Sequence, residues 1–202
     1  MKYPLSIEQL IESLVKFPGV GRRSAERIIN YILDTSKDDI EKLANALLKV
    51  KSSIRLCKVC SNLSDDETCL ICKNSSRDKD TICVVEYPND VIAIEKTSTY
   101  KGVYHVLMGS ISPLDGRGPD DIKIERLVNR IKTTQINEII IATGSDMEGE
   151  ATSMYIVKIL KPLNVKISRI GLGIPMGSNL EYIDSATLTK AIETRREFKN
   201  ET

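Results

Sequence analysis

Two groups of residues in this chain have the types and spacing to carry chemistry. The first is Cys57-x2-Cys60-x8-Cys69-x2-Cys72, two chelating turns eight residues apart. Each pair can offer two thiolates to one ion, and four soft ligands in a tetrahedron suit Zn2+. With no coordination position left open, one such ion per chain would be structural. Free thiols or a redox pair are the alternative, but two CxxC units this close seldom serve either. The run "LCKVCSNLSDDETCLICKNSSRDKD" is polar and poor in periodicity, so the metal would have to supply its order. The second group is "ATGSDMEGEAT", Ala142 to Thr152, where Asp146, Glu148 and Glu150 crowd behind the apolar run "EIIIAT".

Gly144 and Gly149 in that stretch have the spacing of a phosphate-binding loop, but Glu150-Ala151 stand where the loop needs Lys and Ser/Thr. Carboxylates there repel a triphosphate, which excludes an NTPase. Acids at the start of a helix favour its dipole, which accounts for one or two of the three. An exposed acidic patch docking a basic partner is a further reading. The stretch also resembles the acidic motif of Toprim domains, in which DxD precedes Arg-Glu-Gly-Glu and an earlier Glu ends a strand. Glu86, ending "TICVVE", matches that earlier position. The resemblance implies Mg2+ held among Glu86, Asp146, Glu148 and Glu150, as in a Mg-dependent nuclease or topoisomerase-like enzyme. Gly144, however, replaces the first Asp and Met147 replaces the Arg. Mg2+ demands a full octahedron of hard oxygens, so the lost carboxylate leaves at most a loosely collected ion. The expectation is a protein that is not an enzyme.

A third feature is the glycine turn in "FPGVGRRSAERI", Phe17 to Ile28. Gly19 and Gly21 let the backbone turn tightly and let a phosphate approach main-chain N–H groups at a helix start. Arg22 is adjacent, and Arg23 and Arg27, four apart, share one side of the helix. Together they could grip phosphates regardless of sequence. An ordinary helical hairpin with solvated arginines is the equal alternative on local chemistry alone. The stretch resembles the helix-hairpin-helix DNA-binding motif, which favours the first. A single motif grips weakly, so useful affinity would come from several copies in an oligomer.

The elements that must hold these groups follow from periodicity. Residues 1–55 read as helical: Ser6 with Gln9 forms a capping box, and Ile7, Leu10, Ile11, Leu14 and Val15 recur at helical spacing. A second helix places Ala25, Ile28, Ile29, Ile32 and Leu33 on one face, and a third runs from about Asp38 to Ile54. From Thr81 on, "TICVVE", "VIAIEK", "VYHVLM", "EIIIAT" and "VKISRI" are expected strands, and 122–133, 149–160 and 185–198 expected helices. Such alternation predicts a largely parallel sheet. The expected fold class is α/β multidomain: a helix-hairpin-helix module at 1–55, a four-cysteine zinc finger at 56–80, a Toprim-like domain at 81–175, and a C-terminal segment with a helix at 176–202.

Bulk properties agree. The 202 residues are 41% hydrophobic and 28% charged, enough for a real core. Trp is absent and aromatics are 4%, so base-stacking platforms are few. The net charge of +1 is uneven: residues 1–55 hold ten Lys/Arg against seven Asp/Glu, so a polyanion should meet that part. "MKYPLSIEQL" has no apolar signal region and no stretch approaches a membrane span, so a cytoplasmic protein is expected. Five cysteines then point to metal or buried thiols rather than disulfides. Cys83 reads as a core thiol, and His105, the sole histidine, as a packed strand residue.

The order of hairpin, four cysteines and Toprim-like stretch is similar to the RecR family of bacterial recombination mediators. "YHVLMGSISPLDGRGPDDI" and "GLGIPMGSNLEYIDSATLTKAI" resemble that family closely. The resemblance implies homotetrameric rings that can encircle single-stranded, double-stranded or gapped DNA. It implies partners RecO and RecF, with RecA loaded on DNA coated by single-strand-binding protein, and a nucleoid-associated location when DNA is bound. It places DNA contact at Arg23 and Arg27, zinc at Cys57, Cys60, Cys69 and Cys72, and RecO binding in the acidic region of Glu148 and Glu150. ATP hydrolysis would belong to RecF.

Overall fold

The computed structural model describes residues 3–171 and 173–195. The chain divides into two compact units, Met1–Ile54 and Arg55–Thr202. The expected helix 185–198 therefore lies outside the described residues beyond position 195.

The first unit holds α1 (Leu5–Leu14), α2 (Arg22–Asp34) and α3 (Lys37–Ser53). The expected capping box does not form. Pro4 occupies the N-cap position, its carbonyl accepts from Ile7 N and Glu8 N, and Ser6 falls inside the first turn. A fixed proline φ near the helical value makes Pro4 the earlier start. α3 begins one residue before the expected Asp38, at Lys37, where Ser36 is the N-cap and its Oγ accepts from Asp39 N at 3.2 Å. Ile11, Ala25 and Ile29 form the small core, with Ile7, Leu10, Leu14 and Val20 packed around them. Ile28 and Ile32 are only half-buried, and Leu33 is exposed. α3 buries no residue at all within this unit.

The second unit opens with the antiparallel pair β1 (Arg55–Leu56) and β2 (Leu63–Ser64), followed by the short α4 (Leu70–Lys73). A four-stranded sheet of β3 (Asp78–Val85), β4 (Gly102–Val106), β5 (Glu138–Ala142) and β6 (Lys166–Arg169) follows, in the order β4-β3-β5-β6. All neighbours in it are parallel. Parallel neighbours need crossovers, supplied by α5 (Pro88–Lys96), α6 (Ile124–Thr133) and α7 (Met147–Leu160). Side chains alternate along β3: Ile82 and Val84 join one core with Leu127, Ile139 and Ile156, while Cys83 and Val85 join the other with Val91 and Tyr104. After β6 a C-terminal helix, α8 (Ser185–Glu193), starts at Asp184, whose carboxylate accepts from Thr187 N at 2.9 Å.

One expected strand is wrong. "VIAIEK" lies in α5, because Pro88 opens a helix and Asp90 accepts from Tyr87 N at 2.7 Å. The spacing that buries Val91 and half-buries Ile94 is i,i+3 and not alternation. No helix among the described residues is long and apolar enough to cross a membrane.

Candidate zinc centre, acidic loop and nucleic-acid interface

The β1–β2 turn carries the first cysteine pair. Cys57 N donates to Asn62 O at 2.7 Å and Ser61 N to Cys57 O at 3.0 Å, and Ser61 takes φ of 61° to close the knuckle. The second pair sits where α4 begins, with Cys69 at the N-cap and Cys72 one turn on. All four Sγ atoms lie within 4.8 Å of one another, and Cys57, Cys60 and Cys69 are buried. Cys60 Sγ and Cys69 Sγ are 3.5 Å apart, close to the roughly 3.8 Å that sulfurs bound at ~2.3 Å to a tetrahedral Zn2+ must keep. Cys69 N donates to Cys57 Sγ at 3.3 Å, as amides do toward thiolate sulfur. Crowding the thiols raises that of Cys60 far above its usual range, first through contact with Cys69 and Cys72 and then through burial. A cation makes four thiolates at this spacing favourable, and the donor set fits Zn2+.

The knuckle is built onto the α/β sheet. Val106 N at the end of β4 donates to Cys60 O at 2.8 Å. Arg126 of α6 donates to Ser61 Oγ at 3.1 Å and to Lys58 O at 3.3 Å. Nothing in the local sequence marks Arg126, because its partners lie 65 and 68 positions upstream.

The acidic stretch falls at the β5–α7 junction, and each of its acids has an internal partner. Asp146 is the N-cap of α7, its Oδ1 accepting from Gly149 N at 2.7 Å. Glu148 accepts from Ser110 Oγ at 2.8 Å, Ser112 Oγ at 2.7 Å and Arg117 Nη2 at 3.3 Å. Glu150 pairs with Arg169 of β6 and with Lys190 of α8, the latter at 3.7 Å. Arg169, and then Lys190, hold its carboxyl below the usual range. Glu86 is half-buried just after β3 and accepts from Gly144 N at 3.1 Å. Burial raises its carboxyl, and Asp146, Asp90 and Glu148 add to the rise. These four carboxylates do not converge: among the described residues the four cysteines are the one cluster of metal donors that does. Arg117, Arg169 and Lys190 complete the acidic junction, and sequence reading did not single them out.

In the first unit Gly19 takes φ of +77°, the left-handed turn that only glycine adopts without strain, and Gly21 is the N-cap of α2. The three arginines of α2 then separate. Arg22 is engaged, at 3.0 Å from Glu8 of α1 and 3.3 Å from Glu26. Arg23 and Arg27 are exposed and, among the described residues, carry no ion pair.

A helical hairpin module, a four-cysteine zinc knuckle and a Toprim-type parallel sheet with a C-terminal helix define a zinc-finger Toprim protein. Residues 80–171 match the Toprim domain family. Residues 7–51, 54–74 and 173–196 match the RecR helix-hairpin-helix, the RecR four-cysteine zinc finger domain and the RecR C-terminal family. Two proteins from strains of Clostridium perfringens, each named Recombination protein RecR, are 52% identical to it over 193 residues, 96% of this chain and 97% of theirs. The chain belongs to the RecR family, and Cys57, Cys60, Cys69 and Cys72 form its structural zinc site.

Proposed function

We propose that this chain is a DNA-binding recombination mediator in DNA repair, a cytoplasmic oligomeric clamp that acts with RecO and RecF to promote RecA loading on single-stranded or gapped DNA. The observation that carries this reading is the division of labour on α2. Arg22 ties α1 to α2, while Arg23 and Arg27 are exposed and, among the described residues, carry no ion pair. Two exposed guanidiniums on the first two turns of a helix suit phosphates of any sequence. Reversing both, Arg23→Glu with Arg27→Glu, should weaken binding and flatten its salt dependence by about two phosphate contacts per subunit. Unchanged binding across a salt series would refute the assignment.

A RecO contact at the acidic junction rests on the half-exposed Glu148 and Glu150. Because both carboxylates also hold internal partners, the test is RecO pull-down by Glu148→Gln and Glu150→Gln, read beside their melting temperatures. Binding lost without loss of stability supports docking.

The second reading, a Mg-dependent Toprim enzyme, draws support from Glu86, half-buried with a raised carboxyl at the strand end. Incubation with gapped DNA and Mg2+ separates the two. Retention without cleavage supports the mediator, whereas cleavage abolished by Glu86→Gln supports the enzyme.

A further inference from the structure

The face of α2 that carries Arg23 and Arg27 continues to Tyr31. At about 100° per residue, Arg23, Arg27 and Tyr31 span about 80° of arc, turned away from Ala25 and Ile29 in the core. Ser24, Arg27, Ile28 and Tyr31 line one open hollow of about 320 Å3. Tyr31 is 67% exposed. Among the described residues its hydroxyl makes no hydrogen bond; its carbonyl accepts from Thr35 Oγ1 at 2.6 Å, which steadies the end of the helix. Three other rings are placed differently. Tyr100 and Tyr104 pack edge to face at 5.1 Å in the second unit, and Tyr3 lines a small pocket with Ile7 and Ile11. Tyr31 thus stands on the same helix face as two guanidiniums that carry no ion pair among the described residues.

We infer that Tyr31 is a base-stacking platform for single-stranded nucleic acid, with Arg27 and Arg23 taking the adjoining phosphates. This deepens the DNA-binding reading and rests on it. An exposed aromatic beside cations is the arrangement that single-strand binders use, because every base offers a π face while only an unpaired base is free to stack. Duplex DNA would engage the arginines and leave the ring idle. Charge decides against a second copy of this chain on the same face. A two-fold contact there would bring Arg23 and Arg27 against their own kind, with no carboxylate among the residues lining the hollow.

The test compares oligo-dT with a duplex of equal length. Tyr31→Ala should weaken single-strand binding by about 5-fold to 100-fold and duplex binding by less than about 2-fold, and Tyr31→Phe should restore the first. The chain has no Trp, so Tyr31→Trp installs a sole reporter whose emission should be quenched by oligo-dT. Equal losses on both DNAs, no loss on either, or an unquenched Trp would overturn the platform. A lower light-scattering mass for Tyr31→Ala would overturn it too, by assigning the ring to a subunit contact. If Arg23→Glu with Arg27→Glu keeps full affinity, the DNA-binding reading itself fails. If that pair loses affinity while Tyr31→Ala does not, only the stacking role fails.

Discussion

His105 lies buried in β4, its Nε2–H donating to Lys123 O at 2.8 Å while Nδ1 has no partner among the described residues. Burial lowers its pKa to about 4, with Arg130 and Arg126 adding to the fall against the Lys123 carbonyl. The unfolded chain, at the ordinary 6.5, therefore takes up this proton first as acid is added. The stability due to the neutral ring is complete above about pH 6.5 and drains away toward about pH 4, roughly 3 kcal/mol in all. Urea midpoints at pH 7 and pH 5 should differ for the wild type by more than for His105→Gln; parallel midpoints would exclude His105 as the source. That His105 and Cys83 belong to the core was readable from their apolar neighbours in "VYHVL" and "TICVV", and both are buried. The partners of Glu148 were not readable. Ser110, Ser112 and Arg117 reach it from 38, 36 and 31 positions away, a proximity that only the folded sheet creates.

At the scale of elements, periodicity failed where a helix and a strand bury the same residue types. In "VIAIEK" the apolar alternation suggested a strand, yet Pro88 and Asp90 start a helix, and those two signals outweigh the alternation. The β5–α7 junction depends on a residue whose role periodicity cannot reveal. A Cβ on Gly149 would stand 2.3 Å from Gly144 O and 2.6 Å from its carbonyl carbon. The same glycine accepts from Thr143 Oγ1 at 2.9 Å, so the helix cannot back away freely. Gly149→Ala should cost about 3 kcal/mol or more by denaturant titration. A loss under about 1 kcal/mol would mean that the loop yields. The zinc knuckle poses a similar question of coupling between elements, since Arg126 of α6 holds it by two hydrogen bonds. Arg126→Ala should lower the unfolding free energy by about 1 kcal/mol and speed zinc transfer to a chromogenic chelator. Transfer at the wild-type rate would show that the metal orders the knuckle unaided.

For the whole molecule, the order of chemical groups along the chain was legible because zinc ligands and glycine turns are local in sequence. Which surfaces are covered was not, and α3 shows why. Its helix was expected from about Asp38 to Ile54, but none of its 17 residues is buried. Ile40, Leu43, Leu47 and Val50 recur on one side, with Leu47 59% exposed, and Leu48 flanks them. An apolar stripe of this kind is costly in water and is usually the mark of an interface. In the clamp proposed above, α3 would be a subunit contact, and several hairpin modules would then share one DNA molecule. Leu43→Asp with Leu47→Asp should therefore reduce the mass by light scattering to half or less. The melting of the helical unit should change little, since neither side chain is in its core. DNA affinity should fall by more than about tenfold, although Arg23 and Arg27 are untouched, because each remaining grip acts alone. An unchanged mass would assign the stripe to a different partner. A reduced mass with full DNA affinity would show instead that one hairpin module suffices.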